Sequence, residues 1–252
     1  MMKKFLALLM ALMMVLSLTA CGGSEKEEKE KPTYTYPEYD PEAATYTVEN
    51  INHSTLDLDA QLPVIKTYYD KVVLQGDSEE IKAINTLIDA DYEKYFYDNG
   101  VAQFEENFST HPLYGDTEHP FLFTYSAAVT HNKYNTFSIR MIVDSYFGGV
   151  ATINSYGMTF DTSTGKALTL SELTDIEDEE LRQSFVDITW NQIQYDALYD
   201  DAREVLESLQ LSDYIFYVEE GEIVLTYPCY TFAPGVNGAA TIHTGIMIKD
   251  NQ

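Results

Sequence analysis

Apolar and polar side chains alternate along several stretches of this chain with the period of two that a β-strand imposes. Phe121, Phe123, Tyr125, Ala127 and Val129 form one such run. Phe137, Ile139, Met141 and Val143, interleaved with Ser138, Arg140, Ile142 and Asp144, form the next, with one face buried. Between them, His131-Asn132-Lys133-Tyr134-Asn135 predicts a hairpin turn. The paired glycines Gly148 and Gly149 then interrupt the ladder and predict a bulge, a sharp reversal or the close approach of another surface. Alternation resumes at Tyr156, Met158 and Phe160, turns at Asp161 to Lys166, and passes through Leu168, Leu170 and Leu173 into a helix start at Ser171-Glu172. Tyr214 to Val218 and Ile223 to Tyr227 flank Glu219-Glu220-Gly221-Glu222 as a second hairpin. Ile242, Thr244, Ile246 and Ile248 predict a last strand, and strands are also expected around Tyr46, Val48 and Ile51 and from Val64 to Leu74.

Two stretches switch to helical spacing. Ile81, Ile84, Ile88, Tyr92 and Tyr95 share one face, with Asp77 as the expected cap and Glu80 three residues later. A long helix is expected from Asp178 to Gln210, because Glu177-Asp178-Glu179-Glu180 complements a helix dipole and Leu181, Phe185, Ile188, Trp190, Tyr195, Leu198, Val205 and Leu209 supply apolar faces. The expected architecture is α+β. An antiparallel sheet, built from the strands around Phe121, Phe137, Tyr156, Ile215, Val224 and Ile242, packs one face on the long helix. A smaller strand-plus-helix unit over residues 45–115 precedes this larger domain over residues 116–252.

The first 44 residues carry none of these patterns. Lys3 and Lys4 followed by the apolar run from Phe5 to Leu16 and by Leu18-Thr19-Ala20-Cys21 read as a lipoprotein signal peptide over residues 1–20. Cys21 is then the expected lipidated N-terminus, which places the mature chain on the outer side of the cell membrane through its lipid alone. Residues 21–44 hold a mixed Glu and Lys run and then Tyr and Pro at close spacing, the composition of a tether that buries no core.

Charge narrows the partners. The chain has 15 basic and 41 acidic residues, a net charge of −26, and removing Lys3 and Lys4 with the leader leaves 13 against 41, or −28. Such a surface repels nucleic acid and anionic headgroups and attracts a basic protein, a cationic peptide or a metal ion. Of the 2 cysteines, lipidation of Cys21 leaves Cys229 without a partner, and its aromatic neighbours Tyr227, Tyr230 and Phe232 predict a buried, inert thiol. The 5 histidines lack the paired spacing of a metal site, although His111, Asp116, Glu118 and His119 share one connecting loop. There is no nucleophile elbow and no phosphate-cradling glycine loop, and Asp200-Asp201 reads as a solvated helix face. No catalytic residue, metal or cofactor is therefore expected.

Two motifs, in order, carry a resemblance. Tyr146-Phe147-Gly148-Gly149 followed by Phe160-Asp161, Thr164-Gly165-Lys166 and Leu168-Thr169-Leu170-Ser171-Glu172-Leu173 resembles the signature of the extracytoplasmic domain of RsiV-type anti-sigma factors. Pro228-Cys229-Tyr230-Thr231-Phe232-Ala233-Pro234, closed by Gly238, resembles that family's second block. Val150-Ala151 stands where the family commonly has Ala-His, and Cys229 is inserted between Pro228 and Tyr230. The resemblance implies a sensor-like domain of the kind that binds lysozyme in anti-sigma factors and accompanies the catalytic part of PdaC-type peptidoglycan deacetylases. Here the domain would stand alone as a lipoprotein, a non-catalytic binding or sensing module with Tyr146, Gly148, Gly149, Tyr230, Pro234 and Gly238 as candidate ligand-binding residues. The alternative is a cell-wall or carbohydrate-processing hydrolase with an unrecognised acidic site.

Overall fold

The period-two runs form two sheets. In the larger, β1 (Tyr46–Asn52), β3 (Pro63–Leu74), β4 (Phe121–Lys133), β5 (Thr136–Tyr146), β6 (Thr152–Asp161) and β7 (Lys166–Ala167) lie side by side in that order, and β2 (Thr55–Leu56) also pairs with β3. The computed structural model describes residues 43–56, 63–101, 121–146, 151–193 and 197–249, all within the compact unit Asp40–Gln252. The leader with Cys21, nearly all of the tether, the His111 to His119 loop and Gly148-Gly149 lie outside the described residues.

Every neighbouring pair in the large sheet is antiparallel except β3 with β4, which run parallel from Ile65 opposite Phe121 to Tyr69 opposite Tyr125. A parallel pair needs a long crossover, and helix α1 (Glu79–Asp91), continued by a π-helical segment (Tyr92–Val101), lies in it. Ser78 caps α1 in place of Asp77, its hydroxyl accepting the Ile81 N–H at 3.2 Å. Ile84, Ile88 and Asp91 form the buried face of α1. Ile84 and Ile88 share a core with Phe137, Ile139 and Met141 of β5 and with Tyr69, Tyr125 and Phe96. Side chains of this size contribute about 1.5–3 kcal/mol each when fully buried.

The smaller sheet has the order β10 (Ala240–Met247), β9 (Glu222–Tyr227), β8 (Ile215–Glu219). Glu220 and Gly221, both with positive φ, make its hairpin turn. A short helix α2 (Leu170–Leu173), opened by a Thr169–Glu172 capping box, leads to α3 (Asp178–Gln192) and α4 (Ala202–Ser208). Leu181, Phe185 and Leu206 of these helices share a core with Ile223, Leu225 and Ile242 of the small sheet. No described helix is long and apolar enough to cross a membrane.

The α+β class is as expected, but two details differ. Among the described residues the expected helix from Asp178 to Gln210 is two helices: Ile193 leaves helical geometry (φ −69°, ψ 111°), and the next described helix begins at Ala202. A continuous helix of that length would span about 50 Å at 1.5 Å per residue. The longest strand of the small sheet has 8 residues, about 27 Å at 3.4 Å each. Breaking the helix lets both pieces lay their apolar stripes on the same short sheet.

The second difference is that the six strands expected in one sheet divide between two. The polar face of β5 and β6, the natural candidate for the solvent side, carries Ser138 at 0% exposure. Strand β8, an edge of the small sheet, lies across that face. Its outward backbone groups are met by hydroxyls: Val218 N–H donates to Ser138 Oγ (2.9 Å), and Val218 C=O accepts from Thr130 Oγ1 (2.6 Å). Ser138 Oγ also bonds Thr159 Oγ1 at 2.8 Å, and Thr226 Oγ1 donates to the Ser155 carbonyl. A strand edge left open would template aggregation; this one is closed by side chains instead of by another strand. Gly157 of β6 permits the approach, since a Cβ there would sit 1.9 Å from the Phe216 carbonyl oxygen.

Candidate functional site

Where the two sheets diverge, the start of β6 and the segment from Pro228 to Ala239 bound a groove of about 540 Å³. The far wall is a loop that the sequence pins at both ends. Phe232 and Ala233 are buried, with the Phe232 ring 4.8 Å from that of Tyr227, so the loop is anchored in the core under the small sheet. Cys229 N–H donates to Asn154 Oδ1 at 2.7 Å and ties the loop to β6. Tyr230 sits at φ 70°, and its ring lies so close over Gly235 that a Cβ there would be 2.2 Å from the ring. Pro234 C=O accepts the Asn237 N–H at 2.9 Å, and Gly238, at φ 76°, ends the turn with its N–H on Gly235 C=O at 3.0 Å.

The outer side chains of this frame are apolar. Val236 is 89% exposed, Ile153 is 59% exposed across the groove from it, and Tyr230 is 53% exposed beside them. The lining consists of Ala151 to Ser155, Cys229, Gly235, Val236, Gly238, Ala239 and Thr241, with Arg140 from β5. No acidic side chain is among them, in a chain with 41.

The sequence-predicted residues fall on this site unevenly. Gly238 lines the groove, Tyr230 packs at its rim over Gly235, and Pro234 shapes the turn. Tyr146 ends β5 opposite Leu122 and does not line the groove, while Gly148 and Gly149 lie outside the described residues. Cys229 is not the buried thiol expected from its aromatic neighbours. It is half-buried on the groove wall with Sγ 3.6 Å from Ile153 C=O. The reversal at Cys229-Tyr230 breaks the alternation that would have carried it inward. Arg140, Ile153, Asn154 and Val236 were not singled out from sequence. Arg140 alone had a visible signal, as the one cation on the polar face of its strand.

A second cluster lies between α1 and β6. Asp91, 9% exposed, accepts on a single oxygen, Oδ2, from Tyr69 OH at 2.9 Å and Tyr156 OH at 2.6 Å. Burial raises its pKa, and the two hydroxyls draw it part of the way back. Burial first, and the Asp91 charge second, push Tyr69 and Tyr156 far above their ordinary values and Tyr125 up to about 12, so all three stay protonated. The adjoining cleft, about 460 Å³, is lined by Asp91, Tyr125, Tyr156, Met158, Tyr214 and Phe216 among others. Asp91 is the one carboxylate lining this cleft, and the groove has none. Glycosidic hydrolysis ordinarily uses two facing carboxyl groups. Among the described residues, no three His, Cys, Asp or Glu side chains gather as a metal site.

No protein-family model matches the sequence, and no curated protein matches it. Solved structures do resemble it. A DUF3298-family protein from Bacteroides fragilis NCTC 9343 superposes with a TM-score of 0.56 at 14% identity, over 84% of this chain and 96% of that one. A DUF3298-family protein from Pseudomonas aeruginosa PAO1 gives a TM-score of 0.48 at the same identity and coverage. The fold built from these strands and helices is therefore that of a DUF3298-type domain.

Proposed function

We propose that this chain is a non-catalytic binding module, held outside the cytoplasm by a lipid on Cys21, that docks a basic extracellular protein through the groove between β6 and the Pro228 to Ala239 loop. The observation that carries the reading is the exposure of Val236, Ile153 and Tyr230 around a groove with no acidic lining, on a chain of net charge −26. Acidic charge outside the groove steers a cationic partner. The apolar rim supplies contact that survives salt, since exposed charges are screened beyond about 8 Å at physiological ionic strength. Lysozyme is the first candidate, on the RsiV-type resemblance of the two sequence blocks that include this loop.

The test is binding of lysozyme at low and at physiological salt to the wild type, Val236→Asp and an unrelated protein of equal acidity. Wild type should retain binding at physiological salt while the acidic control releases, and Val236→Asp should weaken it at least tenfold, because it puts a charge into the apolar contact of the rim. Its melting temperature should not move, because Val236 is almost fully exposed. Equal binding by all three proteins, lost together as salt rises, would reduce the interaction to nonspecific charge. For the anchor, a palmitate analogue should label the wild type and leave Cys21→Ser unlabelled, and equal labelling of both would remove that part of the reading.

A further inference from the structure

The chain has three arginines, Arg140, Arg182 and Arg203. Two of them grip a carboxylate: Arg182 reaches Glu179 at 2.7 Å and Arg203 reaches Glu207 at 2.6 Å. Arg140 does not. Among the described residues it forms no ion pair, and its Nε is buried without an acceptor. Its guanidinium lies 5.3 Å from the centre of the Tyr217 ring, and Tyr217 is itself fully buried with an unpartnered hydroxyl. With 41 acidic residues available, a cation left without one at a groove wall is unusual.

The groove around Arg140 suits one kind of acceptor. Asn154 has its carbonyl oxygen committed to the Cys229 N–H, so its NH2 remains as a donor on the groove wall. Thr241 adds a hydroxyl, and Ile153 and Val236 make the rim apolar. We propose that this groove is a carboxylate-binding site, in which the planar Arg140 guanidinium takes the two carboxylate oxygens, the Asn154 NH2 gives a further hydrogen bond, and the rim holds an apolar stem. The guanidinium fork matches a planar carboxylate. One guanidinium balances a monoanion, whereas a phosphate dianion would keep a buried charge unpaired. The proposal rests on the groove being a binding site, and it adds that the occupant presents a carboxylate there.

The experiment titrates the full chain at physiological salt with isovalerate, its neutral isostere isovaleramide, the blocked peptide acetyl-Ala-Glu-Ala-amide, and inorganic phosphate. Isovalerate should bind saturably, isovaleramide should not, Arg140→Gln should weaken binding at least tenfold, and Arg140→Lys should keep part of it. The Arg140 Nε–H resonance of the wild type should move on saturation, a readout that does not depend on a variant folding. Comparable binding of the peptide makes the natural source a protein side chain, and binding of isovalerate alone makes it a free organic acid; both support the site. Isovalerate affinity within twofold of wild type in Arg140→Gln, no saturable binding, or phosphate binding more tightly than isovalerate would overturn it. Lysozyme is absent from this titration, so failure of the protein partner and failure of the carboxylate site are separately visible.

Discussion

Replacing Gly157 by alanine should destabilise the protein by about 4 kcal/mol, near the upper end of single-residue effects. The new Cβ would sit 1.9 Å from Phe216 O and 2.6 Å from both Phe216 C and Tyr217 Cβ. The two nearest of these are backbone atoms of β8, so no rotamer change removes the clash. Relief requires the two sheets to separate, and separation withdraws Ser138 and Thr130 from the Val218 N–H and C=O that they satisfy. At this chain length the loss corresponds to roughly a 10 °C fall in melting temperature. Thermal unfolding checks it, and a shift under about 2 °C would mean that β8 does not lie edge-on against β6.

Replacing Asp91 by leucine should cost about 3 kcal/mol, because it orphans the Tyr69 and Tyr156 hydroxyls in a buried site. Leucine fits the apolar face of α1 defined by Ile84 and Ile88, so the loss comes from the tyrosines and not from packing. Adding Tyr69→Phe and Tyr156→Phe should therefore recover most of the stability, since removing all partners of a hydrogen bond is far cheaper than removing one. Urea unfolding of the three proteins decides it; a triple variant no more stable than Asp91→Leu would contradict the network.

Asp91 also fixes a pH dependence. Its folded pKa lies above the unfolded one, so protonation favours the fold. That contribution is complete below about 3.9 and is lost as pH rises through the raised folded value. Acidification from pH 7 toward pH 4 should raise the stability of the wild type relative to Asp91→Asn, which cannot titrate there.

Strands and hairpins were legible in the sequence because their signals are local. Phe137, Ile139 and Met141 announce β5, and the register of Lys133 with Thr136 follows from a two-residue turn of Tyr134 and Asn135, both at positive φ. The division into two sheets was not legible. Ser138 and Thr159 look like solvent-facing residues in a period-two pattern, yet both are buried, because a strand edge offers the same hydrogen-bonding partners as water. The important glycine was likewise hidden. Gly148 and Gly149 attract notice as a pair, while Gly157 lies inside a regular strand and matters only through β8, some sixty residues later.

At the site, Tyr230, Pro234 and Gly238 could be named from the second motif because turn chemistry is local. Arg140 and Ile153 join them only through pairing of β5 with β6 and the Cys229 to Asn154 tie. Asp91 had a readable signal, since it falls three residues after Ile88 and seven after Ile84 on the apolar face of its helix. A carboxylate there needs buried donors, and the tyrosines that supply them come from two distant strands.

The docking reading is tested most directly by amide hydrogen exchange of the chain with and without lysozyme at physiological salt. Bound lysozyme should slow exchange at residues 151–155 and 229–241, the two walls of the groove, and leave the Val236→Asp variant unprotected there. Protection confined to other surfaces, or absent at a lysozyme concentration that saturates binding, would contradict it.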